Sequence, residues 1–151
     1  MKVLLVCSSG GHFKGLQQLH HFWKNHERIW VTFHTATTEA ALTGEKVYWA
    51  YSPTNRNLPN LLRNMLLAFK VINETRPQLI LSTGAGVAVP FLIVGKLFGS
   101  QTVFVESVTR IKTLSLSAKL VLPFLNVLYV QWPQLQARYP QAELITPQES
   151  L

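Results

Sequence analysis

Val3-Leu4-Leu5-Val6-Cys7-Ser8-Ser9-Gly10-Gly11-His12 joins an apolar run to two hydroxyls, two glycines and a histidine. Leu16, Leu19, Phe22 and Trp23 follow at amphipathic spacing. The stretch reads as a strand over Lys2–Cys7, a tight turn, and a helix running to about Asn25. The turn then sits at the C-terminal edge of the first strand, where open α/β sheets place their ligands. Unpaired backbone N–H groups at the start of the helix favour an anion there. Gly10 and Gly11 let a ligand approach the backbone closely, and the His12 imidazole can accept or donate a proton.

Outward from this turn, strands and helices alternate. Arg28–His34 is rich in β-branched and aromatic residues and reads as the second strand. Thr37–Thr43 is a short helix closed by Gly44, and Lys46–Ala50 a third strand. Ser52 to Asn57 is loop by composition, with Asn57 capping the next helix and Pro59 in its first turn. That helix carries Leu58, Leu61, Leu62, Met65, Phe69 and Ile72 at steps of three and four, a stripe read as core, and Pro77 stops it. Leu79–Ser82 is a fourth strand leading into Thr83-Gly84-Ala85-Gly86. Val87–Phe98 is a helix apolar nearly all round, which marks it as buried or membrane-facing. Thr102–Val105 is a fifth strand ending in Glu106-Ser107, and Val127–Val130 a sixth. The tail from Trp132 holds one helical turn or two. Apolar strands alternating with helices specify an α/β fold, a doubly wound parallel sheet covered on both faces. The expectation is a single Rossmann-like domain over residues 1–151.

The chain has 151 residues, 48% hydrophobic and only 14% charged, with Lys plus Arg 14 against Asp plus Glu 7. A formal charge of +7 suits an anionic partner such as a phosphate, a diphosphate or lipid headgroups. The basic residues form no run, which argues against nucleic acid. The single cysteine, Cys7, excludes an internal disulfide and reads as a small buried residue rather than a catalytic thiol. The apolar run Val3–Cys7 is shorter than the roughly 7–15 residues of a signal peptide's core. No uninterrupted apolar segment of about 20 residues is present to span a bilayer. The nearest approach, Leu114 to Val130, is broken by Lys119, Pro123 and Asn126.

Two common nucleotide loops fail on the turn after the first strand. Gly10 and Gly15 have phosphate-loop spacing, but Leu16 and Gln17 stand where lysine and a hydroxyl are needed. The dinucleotide fingerprint fails on glycine spacing, and the second strand ends Phe33-His34-Thr35 without a carboxylate for a ribose. Three polar turns at strand ends remain: Ser8-Ser9-Gly10-Gly11-His12, Ser82-Thr83-Gly84-Ala85-Gly86 and Glu106-Ser107-Val108-Thr109-Arg110. In a doubly wound sheet they converge on one edge. Together they suit a ligand with a diphosphate and a sugar hydroxyl. Arg110 would grip phosphate bidentately, and His12 or Glu106 could take a proton from an attacking hydroxyl. The plainer readings stand beside these: a tight turn for Gly10 and Gly11, a Glu106–Arg110 salt bridge, and close helix packing for Gly84 and Gly86.

Gly-Gly-His after the first strand, Thr-Gly-x-Gly before an apolar helix and Glu-Ser-x-x-Arg after the fifth strand resemble one half of a GT-B glycosyltransferase. The nearest resemblance is to the acceptor-side subunits of bipartite UDP-sugar transferases, which serve lipid-linked oligosaccharide assembly and, in bacteria, exopolysaccharide synthesis. It spans about Met1 to Val130. The resemblance implies that this half holds a polyprenyl-diphosphate-linked sugar acceptor and contacts a membrane. It implies a partner, a donor-binding glycosyltransferase subunit that carries the UDP-sugar, with transfer of N-acetylglucosamine or a hexose. No cofactor is then expected on this chain and no metal. Ser8, Ser9, Gly10, Gly11, Thr83, Gly84, Gly86, Ser107 and Arg110 are the candidate acceptor and diphosphate contacts, and His12 and Glu106 the candidate catalytic groups. After Val130 too few residues remain for a second such unit, so activity is expected only with the partner. The chain is expected to depart from the eukaryotic pattern by lacking an N-terminal membrane anchor, and so looks bacterial. The expected location is therefore cytoplasmic, peripheral on the inner face of the plasma membrane, through Leu114–Leu125 and secondarily the 58–72 helix. The alternatives are a non-catalytic membrane-docking scaffold and a stand-alone small α/β enzyme acting on a phosphorylated metabolite.

Overall fold

The computed structural model describes residues 1–145. Its strands are β1 (Lys2–Cys7), β2 (Glu27–Phe33), β3 (Lys46–Ala50), β4 (Leu79–Gly84), β5 (Gln101–Val105), β6 (Val127–Val130) and β7 (Glu143–Leu144). The helices are α1 (Gly11–Gln18), α2 (His20–Trp23), α3 (Ala36–Ala41), α4 (Leu58–Thr75), α5 (Ala88–Leu97), α6 (Leu116–Val121) and α7 (Pro133–Arg138), with a 3₁₀ turn at Leu122–Phe124. The strands form one sheet in the order β3-β2-β1-β4-β5-β6-β7, and every pairing is parallel. Strand order therefore reverses between β1 and β4, and their C-terminal ends flank the crevice in which such sheets bind ligands.

The sheet is buried on both faces. One face carries Leu4, Val6, Ile29, Ile80 and Phe104 against α4, α5 and α6. The other carries Leu5, Trp30, Leu81 and Val103 against Phe13, Leu16 and Trp23 of α1 and α2. Cys7 is buried at the end of β1, and desolvation pushes its thiol up to about 12, so it stays protonated and unreactive. Gly95 lets α5 approach β4 closely, since a Cβ there would overlap the Ile80 side chain.

Beyond shifts of a residue or two at the ends of β2, α3, α5 and β5, two boundaries differ from the sequence reading. The first helix stops at Gln18, and a separate turn over His20–Trp23 follows it. The fourth strand runs on through Thr83 and Gly84, which the sequence placed in a turn. β7 had no period long enough to be seen. The tail expectation reached Leu151, and residues 146–151 lie outside the described residues.

The larger correction concerns α4. Its inner face is Asn60, Asn64, Ala68, Val71, Ile72 and Thr75, not the leucine stripe. Asn64 accepts from the Tyr51 amide and donates to the Tyr51 carbonyl, and Asn60 donates to the Pro53 carbonyl. The first half of the helix thus packs on backbone of the loop after β3, which only polar side chains can satisfy. Leu58, Leu61, Leu62, Leu66 and Phe69 are turned outward and exposed, Leu66 at 72%.

Candidate functional site

The pairing of β1 with β4 is regular from Val3↔Leu79 to Val6↔Ser82, then jumps to Cys7↔Gly84. Thr83 is the extra residue of this bulge, and bulges of this kind re-aim groups beside functional sites. Its carbonyl is left to accept a hydrogen bond from His12 Nδ1 at 2.8 Å. In return its hydroxyl donates to the His12 carbonyl at 2.6 Å. One residue therefore holds both the ring and the backbone of His12. Because a carbonyl can only accept, Nδ1 carries the proton in the neutral ring and Nε2 keeps its lone pair.

Gly84 has φ +106°, a backbone conformation that side-chain-bearing residues rarely adopt. A Cβ at this position would lie 3.0 Å from His12 Nδ1 and 3.2 Å from Cε1. Gly84→Ala is expected to destabilise the fold by about 1–3 kcal/mol and to displace the ring. Denaturant unfolding checks the first effect and the imidazole resonances of His12 in an NMR spectrum the second, and unchanged resonances in that variant would show that ring placement does not depend on Gly84.

The two helices that begin beside this crossover, α1 and α5, have no side-chain cap. By contrast Thr35 caps α3, Asn57 caps α4 and Ser115 caps α6. The first-turn amides of α1 are therefore left to an outside acceptor, and the helix dipole favours an anionic one, whereas the Ala88 and Val89 amides of α5 donate to the Ala85 and Gly86 carbonyls and Pro90 has no N–H.

Glu106 is 1% exposed, yet among the described residues it makes no ion pair with Arg110. Its Oε1 accepts from the Ser107 amide at 3.0 Å and its Oε2 from the Ser115 amide at 2.7 Å. The carboxylate thus staples both ends of the loop that carries Ser107, Thr109 and Arg110. Trp132 Nε1 donates to the Val108 carbonyl, and Arg138 to the Lys112 carbonyl, fixing the same loop from the side of α7.

Two clefts meet at this edge. The larger, about 1100 Å³, is floored by Gly84–Gly86, Ser107, Thr109 and Arg110, and closed on one side by Thr54–Asn57. Its wall is apolar: Leu58, Leu61, Val89, Leu116 and Leu120. Among the described residues, no hydrogen bond or ion pair engages the guanidinium of Arg56 or Arg110. The smaller cleft, about 460 Å³, lies between α1 and the ends of β5 and β6. Gly11, His12, Glu106, Ser107 and Val108 line both.

Most of the residues singled out from the sequence thus come together. Gly84, Gly86 and Arg110 line the larger cleft, Thr83 the smaller, and Gly11, His12, Glu106 and Ser107 both. Gly10 supplies the positive φ of 79° that starts α1, and neither it nor Ser8 and Ser9 lines either cleft. The loop Thr54-Asn55-Arg56 was missed. Its position after β3, on the same edge, was the available signal. Gly86 comes close enough to it that a Cβ would lie 3.3 Å from Thr54 Oγ1.

A family model described as "Oligosaccharide biosynthesis protein Alg14 like" matches residues 49–147. The turn that carries His12 lies outside that match. The human UDP-N-acetylglucosamine transferase subunit ALG14 is 36% identical over 87 residues, covering 54% of this chain and 40% of the human protein. The Schizosaccharomyces pombe subunit of the same name is 42% identical over 74 residues, covering 46% of this chain and 35% of its own. The chain matches well under half the length of these curated relatives. Among solved structures, MurG of Acinetobacter baumannii superposes with a TM-score of 0.72 at 14% identity, over 89% of this chain and 43% of its own. A UDP-GlcNAc 2-epimerase of Methanocaldococcus jannaschii gives 0.70 at 10% identity, over 99% of this chain and 44% of its own. At these identities the likeness is one of fold, and it covers less than half of each larger chain.

Proposed function

The chain belongs to the family of Alg14-like oligosaccharide biosynthesis proteins, and on that footing we propose that it is the acceptor-side subunit of a UDP-sugar glycosyltransferase. It binds a polyprenyl-diphosphate-linked sugar at a membrane surface, and a second subunit brings the UDP-sugar. The observation that carries this reading is the larger cleft. One groove joins an anion-receptive floor to an apolar wall, and the wall runs out onto the exposed leucines of α4 and α6. A lipid diphosphate has this same division of chemistry. The uncapped amides of α1, with Arg56 and Arg110, meet the diphosphate. Leu58, Leu61, Val89, Leu116 and Leu120 take the start of the polyprenyl chain.

The reaction needs a base beside the attacking hydroxyl. The acceptor oxygen bonds to the anomeric carbon of the donor, the bond from that carbon to the diphosphate breaks, and UDP leaves with the electron pair. The hydroxyl proton passes to His12 Nε2, the nitrogen that Thr83 leaves open. Attack opposite to the leaving group inverts the anomeric centre. Glu106 acts here as a positioning residue, because both its oxygens are committed to loop amides. The chain requires no cofactor or metal of its own, since amides and guanidinium groups carry the anion.

No helix among the described residues is long and apolar enough to cross a membrane. Attachment is proposed by way of the exposed leucines of the α4–α6 face, peripherally on the cytoplasmic face of the plasma membrane. Reconstitution tests the whole reading. Sugar transfer from UDP-N-acetylglucosamine to a polyprenyl-diphosphate-sugar in vesicles is measured with this chain, with the partner, and with both. Transfer is expected only with both. Robust turnover by this chain alone would favour the stand-alone enzyme, and full turnover by the partner alone would reduce this chain to a scaffold.

A further inference from the structure

Neither the diphosphate nor the lipid chain accounts for the smaller cleft. It opens from the same junction at His12, but its chemistry is different. No guanidinium lines it, and neither α4 nor α6 contributes to it. Lys14 and Gln18 come from α1, Gln131 from the end of β6, and Ser107 and Thr83 add hydroxyls. Leu19, Val105, Val108 and Ile145 supply apolar surface between these groups. Amide and hydroxyl groups set among aliphatic side chains match a pyranose, whose rim is hydroxyl and whose faces are C–H. A volume of about 460 Å³ lies at the lower end of the roughly 300–1,000 Å³ usual for small-molecule sites. It accommodates a sugar ring, not a polyprenyl chain.

Gln131 adds an observation of its own. Its Nε2 donates to the Glu106 carbonyl at 3.1 Å, while its Oε1 is buried with no partner. A buried carbonyl oxygen without a donor is unfavourable, so the wall of this cleft holds an unmet acceptor. A hydroxyl or acetamido N–H entering the cleft supplies that donor once the amide turns toward it.

From these features we infer that the smaller cleft is the subsite for the first sugar of the acceptor, with Gln18, Gln131 and Lys14 as its specificity-determining residues. The inference rests on the acceptor reading above and extends it. The attacking hydroxyl belongs to the sugar that carries the diphosphate, so the base must stand between the two. His12 lines both clefts and occupies that position. The acceptor then lies along one line: lipid against α4 and α6, diphosphate over Gly84–Gly86 and Arg110, and sugar past His12 toward Gln131.

The test is equilibrium binding to the full chain in nanodiscs. The probes are undecaprenyl diphosphate and the same lipid bearing N-acetylglucosamine, glucose or galactose, with soluble UDP-N-acetylglucosamine as a further arm. At least one sugar-bearing lipid is expected to bind about tenfold tighter than the bare diphosphate, as hydrogen bonds of this kind allow. Gln18→Ala and Gln131→Leu are each expected to remove most of that increment while leaving the bare lipid within about twofold. Gln18 is exposed, so its substitution leaves the fold intact even if Gln131→Leu does not. No increment with any of the three sugars, or an increment that survives Gln18→Ala and a folded Gln131→Leu, overturns the subsite. UDP-N-acetylglucosamine binding that is lost in Gln18→Ala would assign the cleft to the donor instead and overturn it too. If no lipid binds, the acceptor reading itself falls and the subsite falls with it.

Discussion

His12→Ala in the assembled enzyme is expected to lower turnover by about 10²–10⁴-fold, the usual cost of losing a general base. The expectation comes from how the ring is held. Thr83 accepts from Nδ1 and leaves Nε2 as the nitrogen that can take a proton. The bulge that exposes this carbonyl, and the absent side chain at Gly84, are backbone features built around the ring. The substitution removes the imidazole but leaves β1, α1 and the amides of Gly11 and its neighbours in place. Association with the partner and with vesicles should therefore match wild type. Single-turnover transfer and co-purification measure the two quantities separately. Unchanged turnover in an intact complex would place the base on the other subunit. Loss of assembly would instead make His12 a structural residue of the turn.

The second large effect is expected at the membrane. Leu62 and Leu66 are 58% and 72% exposed on the outer face of α4, next to Phe69, which meets Phe98 edge-on beyond the end of α5. A leucine side chain moved from water into an apolar phase contributes roughly 1.5–3 kcal/mol. Leu62→Asp with Leu66→Asp removes two such contributions and adds two charges that anionic lipid repels. Flotation with vesicles of phosphatidylglycerol is expected to weaken by about 10²-fold or more, at the lower end of that range for two side chains. Neither side chain packs inward, so thermal unfolding of the variant should follow wild type closely. A wild-type chain that does not float with anionic vesicles, alone or with its partner, would assign this face to a protein contact. Equal flotation of wild type and variant would move attachment elsewhere.

The sequence by itself determined the architecture. Alternation of apolar strand runs with helical periods is set by neighbours close in the chain, and it specified the parallel doubly wound sheet. Local glycine and hydroxyl chemistry also located the turns after β1 and β5, but placed in a turn the Thr83 and Gly84 that continue β4. Their convergence followed from topology alone, since every strand of a parallel sheet points the same way. The formal charge of +7 was the sequence's ground for expecting an anionic ligand.

Facing and tautomer were decided only by tertiary contacts. Helix α4 carries two overlapping stripes at steps of three and four, one leucine-rich and one running Asn60, Asn64, Ala68, Val71, Ile72 and Thr75. Hydrophobicity favours burying the first. The backbone of Tyr51 and Pro53 beneath the helix requires the second, because its N–H and C=O groups need polar partners. Glu106 illustrates the same limit. A carboxylate at a strand end reads as a proton acceptor or an ion-pair partner, but the loop folds back so that its own amides occupy both oxygens. His12 was visible in the sequence, but the partner that fixes its proton is a carbonyl 71 residues away, freed by a one-residue bulge. No local pattern encodes such a contact, because it depends on the register between two strands distant in the chain.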